Sequence, residues 1–246
     1  LLRQPEIRAV FLKYSQEITM DPNTAHRRLL LSEGNRKVTC LREDQSYSNH
    51  PDRFTVWRQV LSRESLTGRC YWEVEVAEGV DVAVAYKNIS RAGGSCESEF
   101  GYNDKSWSLY CSRNSYTFYY NSIRTRVSGR LPSRIGVYLD HSAGVLSFYR
   151  VSDTMTLLHR IQTTFTQPLY AGVWVYTGST AEFSLTAAVH GLSFSLLRSR
   201  LKPNTGTRSH LPGMAHMPNA IPMPQSHKTQ VAEEVGIEGK PVATRR

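Results

Sequence analysis

Over residues 69–86 the chain reads RCYWEVEVAEGVDVAVAY, two runs in which large apolar side chains recur at every second position. In the first run Trp72, Val74 and Val76 share one face opposite Tyr71, Glu73 and Glu75. In the second, Val80, Val82, Val84 and Tyr86 stand opposite Asp81, Ala83 and Ala85. Glu78-Gly79 lies between them, and Gly79 has no Cβ to hinder a sharp reversal, so the stretch predicts a β-hairpin with one apolar face. A hairpin alone is marginal in water, so its apolar face requires a second layer.

The same alternation recurs along the chain. Residues 29–32 and 37–41 predict two short strands joined at Glu33-Gly34-Asn35, and Phe54, Val56 and the Trp57-x-x-Val60-Leu61 run return to the core. Residues 107–112 and 116–120 alternate about a turn at Asn114-Ser115, and residues 134–140 and 145–150 about His141-Ser142-Ala143-Gly144. Further strands are predicted over 156–161, 169–176 and 182–185. Ile7, Val10, Phe11 and Tyr14 instead fall at helical spacing and predict a short helix packed on the domain, since so short a helix is marginal alone. Residues 45–53 and 88–99 are polar and Gly/Ser-containing and read as loops. Roughly a dozen short strands against one helix predict an all-β fold, an antiparallel β-sandwich. After Ala188 the alternation stops and prolines accumulate, so residues 189–246 are expected to be a disordered tail.

Charge and composition narrow the function. The chain of 246 residues carries a formal +9. Residues 1–196 hold 22 Lys/Arg against 18 Asp/Glu, and residues 197–246 hold 8 against 3, so more than half of the excess lies in the tail. Interspersed signs in the folded part give no basic stripe, which argues against nucleic acid as partner. Cys40, Cys70, Cys96 and Cys111 have no metal-ligand spacing and read as reduced thiols of a cytoplasmic protein; neither metal nor cofactor is expected. With no long apolar run, no membrane span is expected. The first residue is Leu1, which suggests a piece of a longer chain with upstream modules.

Several short motifs occur in a recognisable order: Met20-Asp21-Pro22, Trp72-Glu73-Val74-Glu75 and Leu139-Asp140-His141-Ser142-Ala143-Gly144, with Thr24-Ala25-His26 and Leu146-Ser147-Phe148-Tyr149 between and after them. Together they resemble the PRY-SPRY domain of tripartite-motif ubiquitin ligases, butyrophilins and fish NOD-like receptors, over residues 11–185. Residues 100–107, Phe-Gly-Tyr-Asn-Asp-Lys-Ser-Trp, are similar to the expanded fish members. The resemblance implies a bent sandwich of the concanavalin-like jelly-roll type without catalysis, a PRY segment over 17–66 and a SPRY segment over 67–188 forming one sandwich, and a lead-in helix over 1–16. It also implies a protein ligand, innate-immune or ubiquitin-ligase context, and an oligomer formed through an upstream coiled coil.

Asp81 lies on the face opposite the valines and is expected to point out of the sandwich into a shallow concavity. The resemblance makes such an acidic residue part of a partner groove, with Tyr110 as its aromatic neighbour, Ser112 where some members carry an aromatic, and Trp174 and Tyr176 as a further wall. Two other functions compete. Glu73 and Glu75, at i and i+2, could flank a glycosidic bond, and a sandwich could bind sugar as a lectin does without catalysis. A strand with a polar outer face explains the two carboxylates equally well. Arg124, Arg126, Arg130 and Arg134 read as a basic solvated edge.

Overall fold

The computed structural model describes residues 4–129 and 133–185. The expected disordered tail lies outside the described residues, as does Arg130. A helix, α1 (Gln4–Leu12), is followed by β1 (Leu29–Ser32), β2 (Lys37–Cys40), β3 (Gln59–Leu66), β4 (Arg69–Val76), β5 (Val80–Tyr86), β6 (Ser106–Ser112) and β7 (Ser115–Tyr120). Then come β8 (Ile123–Ser128), β9 (Arg134–Asp140), β10 (Val145–Val151), β11 (Met155–Gln162), β12 (Leu169–Val175) and β13 (Thr180–Phe183). The strands form a seven-stranded sheet, β1-β2-β13-β4-β9-β10-β11, and a six-stranded sheet, β3-β12-β5-β6-β7-β8, with every neighbouring pair antiparallel. The expected all-β sandwich is the fold found.

The predicted hairpin over residues 69–86 is not one. β4 pairs with β9 and β13, while β5 pairs with β12 and β6, so the two strands belong to different sheets. Ala77 N–H donates to Thr180 O of the first sheet at 3.1 Å, and Gly79 N–H donates to Cys111 O beside the second at 3.0 Å. The three linking residues thus span the gap of about 10 Å between packed sheets. Gly79 does turn the chain, with φ of 78°. Trp72 and Val74 on β4 and Val80, Val82 and Val84 on β5 join a single buried cluster between the sheets, with Phe148, Leu109 and Phe183. Alternation fixes which side chains go inward and leaves the hydrogen-bonding partner open, since two apolar faces can lie side by side or oppose each other.

The outer sides of both sheets are also covered. On the seven-stranded sheet, Ile7, Phe11 and Leu12 of α1 and Tyr14 beyond it pack over Tyr71, Val151 and Met155, with Phe11 stacked on Tyr138 at 4.4 Å. Val10, expected on the packed face, is exposed. On the six-stranded sheet a second apolar cluster joins Ala83 and Ala85 to Phe54, Ile89, Phe100 and Trp174. Gln59 fastens the cover, donating from Nε2 to Ser98 O and accepting from Phe100 N–H, both at 2.8 Å. Buried Arg53 holds residues 48–53 in place through the carbonyls of Pro22, Ala25 and Ser48 and lies over the Tyr47 ring. The loops expected from composition are therefore largely pinned, with residues 92–97 remaining exposed.

β8 corrects the reading of the basic run. Arg124 and Arg126 lie in a strand at the edge of the six-stranded sheet, whereas Arg134 opens β9 and pairs with Glu73 and Glu75. The β9–β10 hairpin is formed as expected. Its Asp140 accepts from Ser142 Oγ and Ala143 N–H, both at 3.0 Å, and its other oxygen accepts from Arg69 Nε at 2.9 Å. Gly144 closes the turn with φ of +69°, and a Cβ there would stand 1.7 Å from Thr163 O. Gly144→Ala is therefore expected to destabilise the fold by about 2 kcal/mol or more, because backbone on both sides must move. Urea unfolding checks this; an unchanged midpoint would show that the turn relaxes freely.

Candidate functional site

The pairing registers bring residues from distant parts of the sequence into rows across the outer side of the six-stranded sheet. One row runs Gln59, Trp174, Asp81, Tyr110, Thr117, Arg126 on consecutive strands. The next runs Leu61, Gly172, Ala83, Ser108, Tyr119, Arg124. Alternate residues on the same strands, such as Val82, Leu109 and Phe118, point into the core between the sheets. Four of the five expected site residues thus share this face: Asp81, Tyr110 and Trp174 stand side by side, and Ser112 follows two positions beyond Tyr110. Tyr176, just past the end of β12, has its ring 6.3 Å from that of Trp174.

Asp81 departs from expectation. It lies on the outer face but is only 1% exposed, and Ser108 Oγ donates to its Oδ2 at 2.9 Å. Its carboxylate therefore acts within the sheet surface and does not project into solvent. Trp174 is buried as well, at 5%. Tyr110 and Ser112 are half-buried and Tyr176 is exposed, so these three offer the accessible atoms. Ser112 donates to Ser115 O at 2.8 Å, a bond that closes the β6–β7 turn.

Arg58 was not foreseen. Its guanidinium lies over both Trp174 and Tyr176, at 5.4 and 5.7 Å from their centroids, and so places a cation beside the aromatic pair. Nothing in the local sequence marks it, because Arg58 and Trp174 meet only through the β3–β12 pairing. Thr117 was missed for the same reason, and Arg126, read as part of a basic edge, joins the row only through the β6–β7 and β7–β8 registers.

The carboxylate pair of β4 is differently used. Glu73 is fully buried under α1, where Arg8 donates to its two oxygens at 2.8 and 3.0 Å, Tyr71 Oη donates at 2.8 Å and Arg134 Nη1 at 3.1 Å. The outer face of β4, expected to be polar, is thus an internal contact at Glu73, and that group is already engaged by three partners. Glu75 is half exposed and pairs with Arg134 at 2.8 Å. A cleft of about 370 Å³ beside them is lined by Arg8, Leu12, Glu182, Ser184 and Leu185. Cys40, Cys70 and Cys111 are buried and Cys96 exposed, all as free thiols; burial pushes the Cys111 thiol well above its usual range. Among the described residues no three His, Cys, Asp or Glu gather as a metal site, and no helix is long and apolar enough to cross a membrane.

Comparison with known proteins bears on this geometry. Residues 18–66 match the model of the PRY SPRY-associated domain and residues 69–188 that of the SPRY domain. The chain belongs to the PRY-SPRY family. The PRY match holds β1 to β3, and with them Arg58; the SPRY match begins with β4 and holds Asp81, Tyr110, Ser112, Trp174 and Tyr176. The row from Gln59 to Arg126 is therefore built by both parts of a PRY-SPRY domain.

Tripartite motif-containing protein 16 of Mus musculus is 40% identical over 176 residues, which are 70% of this chain and 32% of that protein. Tripartite motif-containing protein 14 of Mus musculus is 38% identical over 176 residues, 70% of this chain and 40% of its own length. Stonustoxin subunit beta of Synanceia horrida is 40% identical over 161 residues, 64% of this chain and 23% of the toxin subunit. The chain thus spans between about a quarter and two fifths of these relatives. Among solved structures, the crystal structure of the TRIM65 PSpry domain superposes with a TM-score of 0.68 at 27% identity, covering 72% of this chain and 94% of that one. The stonustoxin structure gives 0.65 at 36% identity, covering 70% and 27%.

The buried Glu73 of this PRY-SPRY domain generates a pH prediction. Burial alone would raise its carboxyl, but the hydrogen bonds from Arg8 and Tyr71 and the charges of Arg8 and Arg134 outweigh it and hold the group below its ordinary value. A carboxyl depressed on folding contributes stability that is present above the unfolded-state value of about 4.3 and is lost as pH falls through the lower folded value. Glu73→Gln is expected to cost about 2 kcal/mol at pH 7 and to flatten the decline of stability below about pH 4.5. Thermal midpoints of both proteins across that range measure it, and parallel curves would show that Glu73 is not a source of the acid sensitivity.

Proposed function

We propose that this PRY-SPRY domain is a target-recognition module whose protein partner docks on the outer face of the six-stranded sheet, over Tyr110, Ser112, Trp174 and Tyr176. The observation that carries the reading is the row that sets Trp174, Asp81 and Tyr110 on adjacent strands with Arg58 over the aromatic end. Such a face combines what protein interfaces use at their centres: aromatic area held rigidly by a sheet, a stacked guanidinium, and few exposed charges. Asp81 serves it by positioning, through its bond to Ser108, and not as a projecting anchor. No catalytic role is assigned to the domain itself.

We place the domain at the C-terminal end of a longer cytoplasmic chain of the tripartite-motif kind, a ubiquitin ligase or an innate immune receptor, able to oligomerise through a coiled coil upstream. Similarity to the two mouse tripartite motif-containing proteins supports this, and the three buried free thiols fit a reducing compartment. The toxin subunits carry the same domain type in another setting, so the partner must be sought experimentally.

The test is quantitative affinity capture with the full chain against Tyr110→Ala/Tyr176→Ala. Both side chains reach solvent, so the double variant is expected to keep its stability to within about 1 kcal/mol while weakening a specific partner tenfold or more, as expected for aromatic anchors. Partners retained equally by both proteins would remove this face from consideration. Binding to a glycan array in place of any protein would favour the lectin alternative.

A further inference from the structure

The recognition face continues past Tyr110 to the edge strand β8, where its chemistry changes. Thr117 and Tyr119 are half-buried, and Arg126 and Arg124, their register partners on β8, are exposed. Val127 packs toward the core, so alternation sends both guanidinium groups to the outer side, the side of Tyr110. Among the described residues neither arginine is in an ion pair. At the opposite end Arg58, also without an ion pair there, covers Trp174 and Tyr176. The nearby exposed acid, Glu78, is already paired with Arg113 at 3.5 Å.

Resting on the reading of this face as a recognition surface, we propose that the segment it recognises is an acidic, extended peptide that crosses the strands, with an apolar residue near Tyr110 and carboxylates over Arg124 and Arg126. Trp174 to Arg126 covers four strand spacings, about 19 Å, which about six residues of extended chain span. Arginine offers two parallel donors to a carboxylate and is suited to fixing such a segment in register. Deterring edge-to-edge strand pairing accounts for basic residues on β8, but it does not require both of them to lie on the side that carries Tyr110. A nucleic acid fits less well: a phosphate backbone needs cations at regular intervals, whereas here the middle of the row holds aromatic and hydroxyl groups around the Asp81 carboxylate.

The experiment is selection from a display library of random peptides about twelve residues long on the full 246-residue chain, in parallel with Arg124→Glu/Arg126→Glu, Arg124→Gln/Arg126→Gln and Tyr110→Ala. Peptides enriched by the unaltered chain are expected to carry two or more Asp or Glu beside an apolar residue. One such peptide, labelled, is expected to bind the charge-reversed variant about tenfold more weakly, the neutralised variant less severely so, and to lose affinity as salt rises. Both arginine variants change exposed side chains, so their thermal midpoints should match the parent within a few degrees. Enriched peptides without acidic bias that depend on Tyr110 would overturn the acidic assignment and leave the recognition face standing. Acidic peptides that depend on the arginines but bind Tyr110→Ala normally would overturn the face itself, and the path across the strands with it. An oligouridylate bound more tightly than every selected peptide, or no enrichment over the starting library, would also overturn the proposal.

Discussion

Strand β5 has no solvent side: Val80, Val82 and Val84 fill the space between the sheets, and Asp81, Ala83 and Ala85 are equally buried on the outer side. A strand closed on both faces fixes what can lie around it. Small side chains at Ala83 and Ala85 let Phe54 and Phe100 approach the sheet, and Gly172 beside them lacks the Cβ that would stand 2.9 Å from the Phe100 ring. The long connections are thereby drawn down onto the sheet, and the open surface is displaced toward β6, β7 and β8. Tyr110 and Thr117 lie where the cover ends.

Holding loops down with backbone exposed to a dry surface requires polar groups in the right places. Gln59 answers both a donor and an acceptor of residues 98–100, Arg53 collects three carbonyls, and Asn103 donates to the carbonyls of Cys96 and Glu99 at 2.9 and 2.8 Å. Each of these side chains is buried, and an unsatisfied partner in such a place costs on the order of 1–3 kcal/mol. Glu73 does the corresponding work on the other sheet, where it ties α1 to β4 through Arg8. These groups specify where each covering segment lies as much as they stabilise it.

Period-two alternation made most strands legible, and with them the fold class, because inward and outward positions are written locally. Pairing is not. The link at residues 77–79 reads as a hairpin turn or as a step between sheets with equal ease, and only the distant partners Cys111 and Thr180 decide it. β8 escaped notice because its side chains, Ile-Arg-Thr-Arg-Val-Ser, offer one partly buried position and no apolar face. Of the candidate site, alternation set Asp81 opposite the valines, while Tyr110, Ser112 and Trp174 came from the family resemblance, and the pairing registers put all four on one side of the sheet. The burial of Asp81 depends on its neighbours across two other strands, which no local pattern reports. Arg58 and Arg126 enter only with the register.

That division has a consequence for how the face can vary. Its middle is set by Trp174, Asp81 and Tyr110, whose positions are fixed by adjacent strands that also carry the core residues Val173, Val82 and Leu109. Changes there disturb packing on both sides of the sheet. Its two ends differ: Arg58 stands at the entry to β3, and Arg124 and Arg126 stand on an edge strand hydrogen-bonded on one side to β7. Substitution at the β8 end alters charge with little effect on the core, since Arg124 and Arg126 are exposed and such positions are mostly within about 0.5 kcal/mol of neutral, whereas Arg58 is half-buried against Trp174 and Tyr176. A sheet with an exchangeable edge lets one sandwich keep its stability while the charge of its outer face changes.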